Sequence, residues 1–183
     1  MGAYLETERL RLRRFSASDA GLLVRLDADP EVMRFLTGAP TPRGEVENVV
    51  LPEILQVYAE HPELGTFAAE DADGFVGWFG MQPTADPATV GVGYRLLRTA
   101  WGKGYATEGT RALITHAFTQ LGMTRVEADT MAVNHRSRAV MRRSGLRFEK
   151  VFHVHFDDPL PGTEFGEVLY SVDRTTWEAG HHG

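Results

Sequence analysis

The segment "RTAWGKG", Arg98 to Gly104, carries the chain from an apolar, strand-like run straight into a helix, with two glycines flanking Lys103. A glycine-rich turn at a helix start aims free backbone N–H groups along the positive end of the helix dipole, which makes an anion site that needs no charged side chain. Gly102 and Gly104 suit close approach of the backbone to phosphate oxygens; a bland tight turn is the alternative. The stretch is neither a GxxxxGK loop followed by Ser or Thr nor a GxGxxG fingerprint, so the usual nucleotide loops do not apply. Further on, "NHRSRAVMRRSG" crowds Arg136, Arg138, Arg142 and Arg143 into one short helix, a density that fits additional phosphates or a solvated face. Four residues are candidates for taking a proton: Glu70 and Asp129 in or at the ends of strands, and His153 and His155 on either side of Val154. Each has a structural alternative as a hairpin-end, backbone-bonded, packed or solvent-facing group. Two histidines at i and i+2 without a third ligand do not make a metal site, and none is expected.

The elements that must position these residues follow from patterning. "RLRLRRF" reads as a first strand, and "SASD" as the cap of the helix-like "AGLLVRLDAD". "TPRGEVENVVLPEILQVYAE" starts as a helix but contains Pro52, which predicts two short helices or one kinked one. "LGTFAAED" and "FVGWFGMQP" form a hairpin around "DADG", followed by the strand "TVGVGYRLL". A helix from 104 to 121 has apolar residues near a 3.6 period and the length of a crossover between parallel strands. "RVEADTMAV" is a strand, "NHRSRAVMRRSG" a helix, and "LRFEKVFHVHF" and "EFGEVLYSVDR" two late strands around "DDPLPGT". The sum is a mixed sheet covered by helices. Trp78, Phe75, Phe79 and Phe118 read as core or wall, and His181 and His182 match no site pattern.

At 183 residues the chain is the size of one domain, and we expect a single domain over 1–183. Its 43% apolar and 24% charged composition is that of a globular protein, and a net charge of −6 argues against nucleic-acid partners. No run resembles a membrane span or a signal peptide, which predicts no membrane partner and a cytoplasmic location. The absence of cysteine excludes disulfides, thiolate metal sites and any cysteine-bound acyl intermediate.

"GYRLLRTAWGKGYATEG" (93–109) together with "RVEADTMAVNHRSRAVMRRSGLRFE" (125–149) closely resembles the GNAT superfamily of acetyl-coenzyme-A-dependent N-acetyltransferases, most nearly its RimJ/RimL-like, ribosomal-protein-acetylating branch. The resemblance spans nearly the whole chain, from "LETERLRLRRF" to "GEVLYSVDRTTW". It implies an α+β fold with a twisted mixed sheet of about seven strands, about four flanking helices, and a V-shaped splay between the fourth and fifth strands that takes the pantetheine arm. On the family's pyrophosphate loop, Gln/Arg-x-x-Gly-x-Gly/Ala, Gly104 and Ala106 match and Trp101 departs at the leading position. The resemblance therefore assigns acetyl-coenzyme A to the strand end Arg95, Leu96 and Leu97, to the loop Trp101, Gly102, Lys103, Gly104, Tyr105 and Ala106, and to Asn134, Ser137 and Arg138. Many relatives carry a tyrosine acid where this chain has Met141, so Ser137 becomes the candidate for meeting the leaving thiolate. Direct transfer to a primary amine is implied, with a protein N-terminal amine favoured by the branch. A small-molecule amine, a longer acyl group, or a non-catalytic coenzyme-A-binding domain remain alternatives. Relatives dimerise, and pairing of late strands offers a route to a homodimer.

Overall fold

Alternation around the strand Arg11–Arg14 buries Leu10 and Leu12 on either side of the exposed Arg11. A computed structural model describes residues 2–181; His182 lies outside them. Eight strands, β1 (Leu5–Glu6), β2 (Arg11–Arg14), β3 (Gly65–Asp71), β4 (Gly74–Pro83), β5 (Thr89–Leu96), β6 (Arg125–Met131), β7 (Arg147–Phe152) and β8 (Glu167–Asp173), lie in the order β1-β2-β3-β4-β5-β6-β8-β7. The strand beyond the expected seven is the two-residue β1, paired with β2 through Leu5 and Leu12. Asp71 closes the β3–β4 turn by accepting the Asp73 amide at 2.9 Å.

All neighbouring strands are antiparallel except β5 and β6, which are parallel. Their crossover is α5 (Tyr105–Thr119), as its length requires. The other helices are α1 (Ala20–Asp27), α2 (Pro30–Met33), α3 (Arg43–Glu45), α4 (Leu51–Glu60), α6 (His135–Arg143) and α7 (Arg174–His181). Between α3 and α4 the chain does not break. Val46–Val50 form a π turn just before Pro52, and this widened turn accommodates the missing N–H and the ring clash that proline brings to a helix.

Two late features differ from the sequence reading. β7 stops at Phe152 because β8 begins at Glu167, its last partner, so residues 153–166 have no strand opposite them. After β8 the chain turns into α7, whose Trp177 packs against Phe118 with ring centroids 5.3 Å apart. Among the described residues no helix is long and apolar enough to cross a membrane.

α5 covers one sheet face through a core that includes Phe67, Phe79, Met81, Leu113 and Ile114. α1, the π turn and α4 cover part of the other through Phe15, Leu23, Val46, Leu51 and Ala68. Gly109 of α5 sits directly on Phe79, whose ring lies 2.3 Å from where a Cβ would be. Gly109→Ala is therefore expected to destabilise the fold by about 1–3 kcal/mol of overpacking, in excess of the roughly 1 kcal/mol alanine gains in a helix interior. Urea denaturation checks the sign: a more stable alanine variant would mean the contact relaxes freely.

Candidate active site at the parted strands

β5 and β6 pair through only three rungs, Thr89 with Arg125, Val90 with Val126 and Gly91 with Glu127, although β5 runs on to Leu96 and β6 to Met131. Past those rungs the strands diverge, so the splay foreseen between the fourth and fifth strands is present as the gap between β5 and β6. The Leu97 amide donates to the Val76 carbonyl at 2.9 Å. By the alternation of an antiparallel ladder, Leu97 and Arg95 spend their main-chain groups on β4, whereas Leu96 and Tyr94 turn theirs toward the gap. The Leu96 carbonyl accepts the Trp101 indole N–H at 3.0 Å, which folds the ring back onto the strand end.

The loop after β5 then delivers its backbone to the same place. Gly102 and Gly104 have φ of +74° and +84°, left-handed values that side chains rarely allow, and both are exposed. Gly104 caps the 15-residue α5, its carbonyl accepting the Glu108 amide at 3.0 Å, so the amides of the first turn point outward with no intrahelical acceptor. Arg9 fixes the loop from outside: its Nη1 donates to the Lys103 carbonyl at 2.8 Å and its Nε to Glu108 at 2.7 Å. Partial burial raises the pKa of Glu108, but bonds from Thr7 and Arg9 outweigh it and hold the carboxyl below its usual range. Tyr105 is buried and its hydroxyl donates to Asp71 at 3.0 Å, while Ala106 packs against the core. Lys103 Nζ lies 5.9 Å from the Tyr105 ring centroid.

The arginines of α6 divide their work. Arg136 lies 5.2 Å over the Trp101 ring and thus beside the loop. Arg138 is used structurally: its Nη1 donates to the Ala132 carbonyl at 2.8 Å, and its Nε joins Arg142 Nη1 at the buried Tyr170 hydroxyl, both at 3.4 Å. Burial would raise the Tyr170 pKa, yet these two guanidiniums carry it below its ordinary value. The Arg143 carbonyl accepts two bonds from Arg111.

Asn134 caps α6 by accepting the Ser137 amide at 3.2 Å and donates to Thr130 on β6 at 3.2 Å, so its amide holds the helix start to the strand. Ser137 lies near enough to the Tyr94 phenol on β5 to lower its pKa, but burial outweighs that and pushes the phenol up. Met141 is buried in the core.

The opposite sheet face offers a second approach to the gap. Gly91 and Gly93 leave a low floor, with nothing within 4 Å of a Cβ built at Gly93. Two residues beyond the last rung on each strand stand Gly93 and Asp129, across the opening from one another. Asp129 is exposed, yet the atoms packed around its carboxyl push its pKa up, against a bond from its own amide. Glu167 on β8 is raised as well, by burial first and then by the charge of Asp129. At the end of this floor, Arg95 Nη1 pairs with the buried Asp27 at 2.6 Å and its guanidinium lies 5.3 Å over Trp78.

The structure does not bring the other proton candidates here. Glu70 lies on β3, with β4 and β5 between it and the gap, and binds Arg13 Nε at 2.8 Å. His153 and His155 fall beyond the end of β7 on an exposed loop, where His155 faces Asp157 at 3.6 Å, instead of sharing a strand face. Among the described residues no group of three or more His, Cys, Asp or Glu could hold a metal. Residues overlooked in the sequence include Arg9 and Glu108, about a hundred positions apart, as well as Tyr94 and Asp27. Of these, only Asp27 left a signal, as a carboxylate in the apolar stripe with Leu23 and Leu26.

A family model described as an acetyltransferase (GNAT) domain matches residues 9–147. The chain is 35% identical over 182 residues to the FsC-acetyl coenzyme A-N(2)-transacetylase of Aspergillus fumigatus, covering 94% of this chain and 77% of that one. It is 29% identical over 150 residues to the N-acetyltransferase p20 of Bacillus licheniformis, covering 80% and 82%. Among solved structures, the ribosomal-protein α-N-acetyltransferase RimL with coenzyme A superposes with a TM-score of 0.78 at 17% identity, covering 94% of this chain and 98% of that one. The aminoglycoside acetyltransferase AAC(6')-Ib with coenzyme A gives 0.75 at 18%, covering 94% and 99%. Both likenesses are of fold alone, so the ribosomal-protein branch is not established by them. The matched span contains the parted strands, the loop and all of α6, and the chain belongs to the GNAT family as an acetyl-coenzyme-A-dependent N-acetyltransferase.

Proposed function

We propose that this acetyltransferase moves the acetyl group directly to the primary amine of a small molecule and not to a protein N-terminus. The observation that carries this reading is the 35% identity, over nearly the whole chain, to a protein named for transfer to N(2), a locant of the kind given to an atom of a defined molecule. The glycine floor beside Asp129 supports it, because it leaves open space at the gap for a compact acceptor.

In this assignment the amides of the loop and of the first turn of α5 bind the pyrophosphate of acetyl-coenzyme A, with Arg136 beside them, and the exposed main chain of Tyr94 and Leu96 bonds the pantetheine arm. The acceptor comes over Gly91 and Gly93. Its neutral amine attacks the thioester carbonyl carbon, the C–N bond forms and the C–S bond breaks. Asp129 receives the amine proton through water, and Ser137, held at the start of α6 by the Asn134 cap, donates a hydrogen bond to the departing sulfur.

Four outcomes follow from this assignment. Coenzyme A release measured across a panel should be faster with small diamines and amino-acid amines than with peptides; the reverse order would restore the protein-acetylating reading. Gly104→Val, confined to a backbone region that valine avoids, should weaken acetyl-coenzyme-A binding by about 10- to 100-fold in calorimetry, whereas Lys103→Ala should change it by less than about threefold. Ser137→Ala should lower kcat more than it changes the Kd for acetyl-coenzyme A, since its bond matters mainly as charge develops on sulfur.

The fourth outcome concerns pH. Asp129 has a folded pKa raised above its unfolded value near 3.9, so the fold favours the protonated form. That stabilisation is fully present below the unfolded value and is lost as pH rises through the folded one. Asp129→Asn should therefore melt higher than wild type at neutral pH while losing the acid limb of its rate profile. Two acceptors with different amine pKa values separate this limb from that of the amine: a limb that tracks the acceptor in both proteins would exclude Asp129 as the proton acceptor.

A further inference from the structure

The glycine floor leads to one arginine. Gly91 of β5 pairs with Gln82 of β4 and Gly93 with Gly80, and the next pair on the same face is Arg95 with Trp78. Side chains directly opposite in an antiparallel pair stand on one face, so Arg95 and Trp78 form the wall at which the floor ends. We infer that the Arg95 guanidinium binds a carboxylate of the acceptor, so that the acetylated small molecule is an amino acid; this rests on the small-molecule reading above.

Arg95 spends little of its hydrogen-bonding capacity within the fold. Its Nη1 bonds Asp27 at 2.6 Å, its Nε is enclosed without a hydrogen-bond partner, and Nη2 makes no bond among the described residues. Nε and Nη2 form the edge of a guanidinium that meets both oxygens of a carboxylate. An enclosed N–H without a partner is costly, and a carboxylate arriving along the floor relieves that cost. The Arg95 side chain is 18% exposed and so is not sealed off from the floor, whereas Asp27, at 1%, is out of a ligand's reach.

Asp27 is badly placed for stability. It is the last residue of α1, where the helix dipole opposes negative charge, and burial opposes that charge again. Buried ion pairs contribute little over apolar residues of similar volume. What this pair does is hold the guanidinium: Asp27 fixes Nη1, and the Trp78 ring lies 5.3 Å away on the other side. Thr41 secures Asp27 in turn, through its amide to the carbonyl at 3.1 Å and its hydroxyl to the carboxylate at 3.4 Å. Asp29 does not compete for Arg95, because it pairs with Arg98 at 3.1 Å. Asp27 is thus a positioning residue. Asp129 stands across the gap from Gly93, and Arg95 follows two residues on, about 7 Å along the strand. An acceptor with its amine beside Asp129 therefore brings a carboxylate a few bonds away up to Arg95.

Coenzyme A release from acetyl-coenzyme A, measured with the common L-amino acids, each beside its carboxamide and its decarboxylated amine, tests this. The amine of a carboxamide is the weaker base and is more often neutral, so chemistry alone favours the amide. Recognition at Arg95 predicts the opposite order, with kcat/KM for the best amino acid about tenfold or more above that of its amide. Arg95→Gln combined with Asp27→Asn, which replaces the ion pair by a neutral one, should bring this ratio close to one. Arg95→Lys, which keeps the charge but not the fork, should leave it intermediate. A fold merely weakened by these changes would lower both rates together and leave the ratio as it was. Equal rates for acid and amide in the wild type, with small amines still faster than peptides, would overturn this inference alone. A ratio that survives the double substitution would overturn it as well and confine Arg95 to its ion pair. Peptides faster than every small amine would overturn the small-molecule reading and this inference with it.

Discussion

Parallel strands that pair through three rungs and then separate leave main-chain donors and acceptors facing a gap that neither strand can fill. Buried backbone groups require partners, so such a gap persists only where the surrounding structure holds it and something else bonds it. In this protein the holding contacts are local. Trp101 folds onto the Leu96 carbonyl, and Asn134 ties the start of α6 to Thr130. These contacts hold the Trp101 loop to the end of β5 and the start of α6 to β6.

The anion end of the site depends on that geometry and adds little charge of its own. Left-handed backbone at Gly102 and Gly104 and the start of a four-turn helix supply oriented dipoles without side-chain ordering. The Arg9–Glu108 pair positions the loop, but with 44% and 18% of the two side chains exposed it is worth about 1 kcal/mol or less in stability. Its value lies in pinning the Lys103 carbonyl away from the ligand side. On the other face, ionising Asp129 and Glu167 next to each other is opposed by burial and mutual repulsion.

Much of this was legible in the sequence because it is written in local signals. The Asp-Gly hairpin, the period of α5 and the glycines around Lys103 each need only a few neighbouring residues. What was not legible depends on distant partners. The end of β7 is set by where β8 begins, fifteen residues on, and so His153 and His155 left the strand. Glu70 was a candidate for chemistry for want of knowing that Arg13, on the neighbouring β2, reaches it with its guanidinium. Arg95 was assigned to the cosubstrate, but its main chain pairs with β4 and its side chain joins Asp27 and lies over Trp78. The π turn before Pro52 shows a helix absorbing a proline that sequence rules treat as a break.

The central claim is that main chain, more than side-chain charge, binds the cosubstrate at the parted strands. Amide hydrogen exchange with and without coenzyme A tests it most directly. The account predicts slowed exchange at the amides of residues 94, 96 and 102–107, with α4 and β1–β3 unchanged. Protection confined to the groove between residues 5–9 and the outer face of α5, or none at residues 102–107, would contradict it.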